Sequence, residues 1–77
     1  MNPVSKAFGA TVAELRKQKG VSQEKLAELG ELDRTFVSLL ERGLRQPSLT
    51  TILGIGKALN VPPDKLVKLT AARLKAK

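Results

Sequence analysis

Apolar residues along this chain recur every three or four positions and no run alternates with period two, so the pattern predicts helices throughout and no strand. The first helix is expected from about Ser5 to Lys19, capped by Ser5, stopped by Gly20, with Phe8, Val12 and Leu15 facing inward. Arg16, Lys17 and Lys19 gather in its last turn, where positive charge suits the helix dipole. A second helix starts at the cap Ser22 and carries Leu26, Ala27 and Leu29; Lys25 stands where a capping box would need Glu or Gln. A third follows the cap Asp33 and runs to Glu41 or Arg42, with Phe36, Val37 and Leu40 on one face. Arg34, Thr35 and Ser38 lie on another face, Leu39 falls between the two, and Gly43 ends the helix. Pro47 and Ser48 announce a fourth helix, Leu49 to Leu59, buried through Ile52, Leu53, Ile55 and Leu59 and C-capped at Asn60. Its Gly54 and Gly56 are either close-packing points or places of local looseness. Pro62 and Pro63 open a fifth helix with an apolar stripe of Leu66, Val67, Thr70 and Leu74. The expected architecture is all-α: one compact five-helix domain over 1–77, with its core at about 5–69 and a basic tail at 70–77.

Size and composition narrow the chemistry. A chain of 77 residues buries only about 60% of its unfolded surface, so helix packing and oligomerisation must carry its stability. With no Cys and no His, it has neither disulfides nor a Cys/His zinc site, and it lacks the commonest groups for acid–base and nucleophilic catalysis. Glu24 and Glu28 sit on a helix face with no sign of burial. Gly54-Ile55-Gly56 lies inside a helical pattern and lacks the rest of a phosphate-loop signature. We therefore expect no enzyme, no metal and no cofactor. No apolar run approaches the roughly 18 residues that span a bilayer, and Met1–Gly9 lacks the apolar core of a signal peptide. The expected location is the cytoplasm, with no membrane partner. Charge adds direction: 14 basic and 7 acidic residues give +7, of which +4 falls in residues 61–77. Such a balance favours nucleic acid or an anionic membrane over a plain solubilising surface.

The most informative stretch is Gln23–Glu41, Q-E-K-L-A-E-L-G-E-L-D-R-T-F-V-S-L-L-E, two short helices joined by a tight turn. Where two helices cross steeply, the residue at closest approach must be small, and Ala27 fits; Val37, ten residues on, must pack back between them. The runs Leu15–Ala27, Leu32–Gly43 and Pro47–Ile52 are similar to the lambda-repressor and Cro family of helix-turn-helix regulators, also called the XRE family. The likeness covers about residues 8–69. The L-D-R-T-F-V-S run resembles the controller proteins of restriction–modification systems somewhat more than phage Cro-like repressors. One position departs from the family: Glu31 stands where Gly is usual, and Gly30 lies one place earlier. Either the turn shifts by a residue or Glu31 takes positive φ.

The resemblance implies a sequence-specific transcriptional regulator of double-stranded DNA, in a prokaryotic cell or a phage-infected host, with the third helix in the major groove. Recognition helices present their N-terminal residues to base edges, which points to Arg34, Thr35 and Ser38, with Leu39 on the flank. Phe36 is read as core. The resemblance places phosphate contacts at Ser22 and Gln23 and at Arg42, Arg45, Gln46 and Ser48, and an ion pair between Arg16 and Glu41. Lys17 and Lys19 supply long-range attraction. Family members usually dimerise on palindromic operators, and the fifth helix, with Val61, Leu66, Leu69 and part of the fourth helix, is the candidate dimer surface, unless these residues only close the monomer core. The tail Arg73–Lys77 either touches flanking phosphates or is disordered. RNA polymerase is a possible partner. The competing function is an antitoxin-like module that holds a protein and whose DNA binding only autoregulates.

Overall fold

The computed structural model describes residues 2–76, which form α1 (Pro3–Gln18), α2 (Gln23–Gly30), α3 (Arg34–Glu41), α4 (Leu49–Leu59) and α5 (Pro63–Lys75). Local chemistry sets most boundaries. Ser22, Asp33 and Ser48 cap α2, α3 and α4 by accepting from the backbone N–H of Lys25, Thr35 and Thr51 at 3.0, 3.1 and 3.1 Å. Asn60 closes α4 in the left-handed region (φ 57). The N–H of Asn60 then reaches Lys57 O, and that of Val61 reaches Gly56 O, the paired bonds of a Schellman motif.

The start of α1 differs from the sequence expectation. Asn2, not Ser5, is the cap, its Oδ1 accepting from Val4 N at 2.8 Å. Pro3 then occupies the first helical position, where its missing N–H costs nothing. Ser5 lies inside the helix, buried among the core elements at 2% exposure.

The core is one cluster drawn from every helix: Phe8, Val12 and Leu15 of α1, Leu26 and Ala27 of α2, Val37 and Leu40 of α3, Ile55 and Leu59 of α4, Val61, and Leu66 of α5. Val21, Leu32, Phe36, Ile52, Ala58 and Leu69 pack against it half-buried. Helix α1 runs through the middle of this arrangement, packing on α3 and α5, while α2 packs on α3 and α4. At Gly9 the backbones of α1 and α3 come so close that a Cβ would lie 2.2 Å from Leu40 O. Gly56 is likewise a close-packing point, its missing Cβ lying 2.8 Å from Val61 O, whereas Gly54 has ordinary room beside Gly30 O at 3.6 Å.

Three apolar residues expected inside lie on the surface: Leu53, Val67 and Leu74. The reason is rotational. The inward stripe of α5 is Leu66, Leu69, Thr70 and Arg73, so Val67 and Leu74, seven residues apart, share the face one step round. On α4 the inward set is Ile52, Ile55, Gly56 and Leu59, which turns Leu49 and Leu53 outward. The dimer expectation needs correction for the complementary reason. Val61 and Leu66 are closed inside the monomer and Leu69 packs against its core, so the first two offer no surface to a second chain. The basic end is helical through Lys75, and Arg73 folds back on α1, donating through Nε to Thr11 Oγ1 at 3.0 Å and through Nη2 to Glu14. Lys77, the last residue of the basic tail, lies outside the described residues.

Candidate nucleic-acid interface

The site is built on the α2–turn–α3 unit. Ala27 of α2 and Val37 of α3 are both buried in the shared core. The turn does not shift. Glu31 takes the left-handed conformation itself (φ 55, ψ 44), its N–H reaching Glu28 O at 3.3 Å while Leu32 N reaches Ala27 O at 2.8 Å. This Schellman closure satisfies the last carbonyls of α2 and reverses the chain within three residues. Asp33 then restarts the helix.

Beneath the turn unit lies a buried ionic network. Arg16 Nε donates to Glu41 Oε2 at 2.6 Å, Nη2 to Glu41 Oε1 at 3.0 Å, and Nη1 to Val21 O at 2.9 Å. Gln23 Nε2 donates to Glu41 Oε1 at 3.0 Å. Side-chain exposure is only 11% for Arg16 and 6% for Glu41, so the pair is held away from solvent with every polar atom satisfied. The hydrogen bond that Arg16 donates to Glu41 holds its proton more tightly than usual; burial opposes this, and the carboxylate's charge adds to it. Arg16 is therefore a permanent cation whose role is to anchor the end of α3.

The expected contact residues then fall into groups. Arg34 and Thr35 are exposed on the first turn of α3, beside helix N–H groups that carry partial positive charge. Ser38 and Leu39 lie one turn further on, half-buried. Arg42 and Arg45 are exposed in the connection to α4, a segment without an acidic residue. Arg45 Nη1 donates to Leu44 O at 3.2 Å. Ser22 and Ser48 spend their hydroxyls on helix caps, and Ser48 also exchanges a hydrogen bond with Thr51 Oγ1 at 3.0 Å. Gln46 Oε1 accepts from Asn2 Nδ2 at 3.1 Å, which ties the start of α1 to the loop after α3. Sequence reasoning missed two of these ties. Asn2 was legible, because Asn before Pro is a cap followed by a favoured first helical residue. The Gln23–Glu41 bond was not, because it joins residues eighteen apart through tertiary packing alone.

Comparison with known proteins fits this geometry. A family model described as helix-turn-helix matches residues 12–66. Control protein C.BamHI of Bacillus amyloliquefaciens is 44% identical over 70 residues, covering 90% of this chain and 86% of that protein. The crystal structure of the restriction–modification controller protein C.AhdI from Aeromonas hydrophila superposes with a TM-score of 0.79 at 47% identity, over 80% of this chain and 94% of that one. The wild-type restriction–modification controller protein C.Esp1396I superposes over the whole of both chains with a TM-score of 0.91 at 25% identity. These relatives do not favour an antitoxin-like role. From the matched motif, the turn geometry and these relatives together, the chain belongs to the helix-turn-helix family of XRE type.

Proposed function

We propose that this chain is a sequence-specific transcriptional regulator that binds double-stranded DNA as a homodimer and controls expression in a restriction–modification system. The observation that carries the reading is the exposed N-terminal turn of α3, with Arg34 and Thr35 at its tip, held on a buried ionic anchor. Arg34 reaches guanine O6 and N7 with two hydrogen bonds, and Thr35 meets a thymine methyl or a base edge. Ser38 and Leu39 line the groove behind them. Arg42 and Arg45 meet phosphates, together with Gln46, Ser48 and the start of α2 at Ser22 and Gln23, and these contacts set register without reading sequence.

A second copy is required by size. The molecule measures 33 × 23 × 22 Å and has one recognition helix. The next major groove on the same side of the duplex lies about 34 Å away. Two copies related by a two-fold axis reach both and match a palindromic operator. With Val61 and Leu66 inside the core, the surface that fits this role is the outer face of α4, where Leu49 is 71% exposed and Leu53 50%. Leu53 borders a shallow groove with Gly56, Lys57 and the Pro62–Pro63 corner, which extends the apolar patch toward α5. A dimer seated over a promoter excludes RNA polymerase, which is the simplest route to repression.

The test is selection of bound duplexes from a randomised DNA pool, followed by sequencing. A palindromic consensus with half-sites about one helical turn apart is the expected result. Retention with no consensus would reduce the chain to a non-specific basic binder and end the regulatory reading.

A further inference from the structure

Gln23 has two demands on one side chain. It opens α2, where a DNA phosphate is expected, yet its Nε2 is bonded to Glu41, the last residue of α3. The Glu41 carboxylate accepts three N–H donors: Arg16 Nε at 2.6 Å, Arg16 Nη2 at 3.0 Å and Gln23 Nε2 at 3.0 Å. Through Arg16 Nη1 the same network holds Val21 O in the α1–α2 connection. Three helices are thereby joined at one buried carboxylate. A primary carboxamide has two N–H hydrogens. One of Gln23's is committed to Glu41, and the other remains for an oxygen on the half-buried side chain's open edge.

We propose that Gln23 is a positioning residue for recognition: its bond to Glu41 sets the angle of α3 against the phosphate-facing end of α2, and so the placement of Arg34 and Thr35. Helix α3 is an eight-residue rod, about 12 Å long at roughly 1.5 Å per residue. Val37 and Leu40 seat it in the core, so a tilt admitted at Glu41 is expressed at the opposite end, where Arg34 stands. Bidentate readout tolerates little error in angle. The inference rests on the DNA-binding reading above and differs from it in consequence. A side chain that only touches phosphate strengthens binding to every sequence alike. One that orients α3 strengthens discrimination.

Two variants separate these roles. Gln23→Ala removes the donor to Glu41, and Gln23→Lys keeps a donor of similar reach. Backbone amide spectra of the free proteins report the position of α3 and the integrity of the fold. Affinities for the selected operator and for a scrambled duplex, at matched salt, report discrimination. In Gln23→Ala the amide resonances of Arg34, Thr35 and Ser38 should move and the operator-to-scrambled ratio should fall about tenfold; Gln23→Lys should return those resonances toward wild type, its added charge strengthening binding to both duplexes alike. A parallel loss on both duplexes with the α3 amides unmoved would overturn the proposal, as would a Lys variant whose α3 amides stay where Gln23→Ala puts them. If the wild-type protein preferred no duplex, the regulatory reading would fall, while the spectra, which need no DNA, would still decide whether Gln23 holds α3.

Discussion

Single residues carry strain here that can be measured. Glu31 adopts left-handed backbone at the α2–α3 turn, a conformation glycine takes without penalty. Glu31→Gly should therefore stabilise the protein by about 0.5–1 kcal/mol, the relief of strain exceeding the entropy glycine adds to the unfolded chain. Chemical denaturation checks this, and a lower midpoint for the variant would mean that the glutamate side chain contributes something the turn geometry does not show. Gly9 poses the opposite case. A methyl group there would sit 2.2 Å from Leu40 O, so α1 and α3 must move apart. Gly9→Ala should destabilise by about 1–3 kcal/mol, visible as a lower melting temperature; an unchanged one would show that the helices part at no cost. The family pattern marks Glu31 in the sequence, whereas the need for glycine at Gly9 comes only from the Leu40 carbonyl packed across from it.

At the scale of elements, the turn unit separates reading from holding. Arg34→Ala removes the group proposed to contact bases and should cost about 1–3 kcal/mol on the operator while leaving much of the non-specific binding intact. Arg45→Ala removes the group proposed to meet a phosphate and should weaken all duplexes alike, lowering the slope of log affinity against log salt by about one unit. Titrations of both variants across salt, on operator and scrambled DNA, give the answer; identical behaviour would collapse the division between the two groups. The elements themselves were largely legible. The ends of α2, α3 and α4 follow from Ser22, Asp33, Ser48 and Asn60, because capping is a local hydrogen-bond problem that neighbouring residues solve. Less legible was the facing of α4 and α5. Each carries apolar residues around more than half its circumference, so periodicity alone could not say that Leu53, Val67 and Leu74 would be turned outward.

For the whole molecule, the number that bears on the proposed dimer is size: the molecule is 33 Å long, and α3 is the one helix proposed to enter a major groove, so reading successive grooves calls for a second copy. A two-fold interface contains each residue twice, so one substitution removes two contacts. Leu53→Lys should shift the association equilibrium toward monomer by about tenfold or more, since burying each leucine contributes roughly 1.5–3 kcal/mol. Sedimentation of the variant, with melting of the monomer as the control for folding, checks it. A dimer of undiminished affinity would place the interface elsewhere, and the Val4, Val67 and Leu74 surface would be the next to examine.

The sequence by itself determined the class of this protein: five helices, the caps of the second, third and fourth, a small residue and a valine in the helix-turn-helix, and a polar face with Arg34 and Thr35 at the head of the third helix. These depend on spacing and short-range hydrogen bonds, which a linear chain displays directly. The tertiary structure alone decided which apolar faces were consumed. It put Val61 and Leu66 inside and left Leu49 and Leu53 bare, because five helices have more apolar surface than one core can cover. It also joined Gln23 to Glu41 and Arg16, a contact set by helix packing rather than by any pattern along the chain.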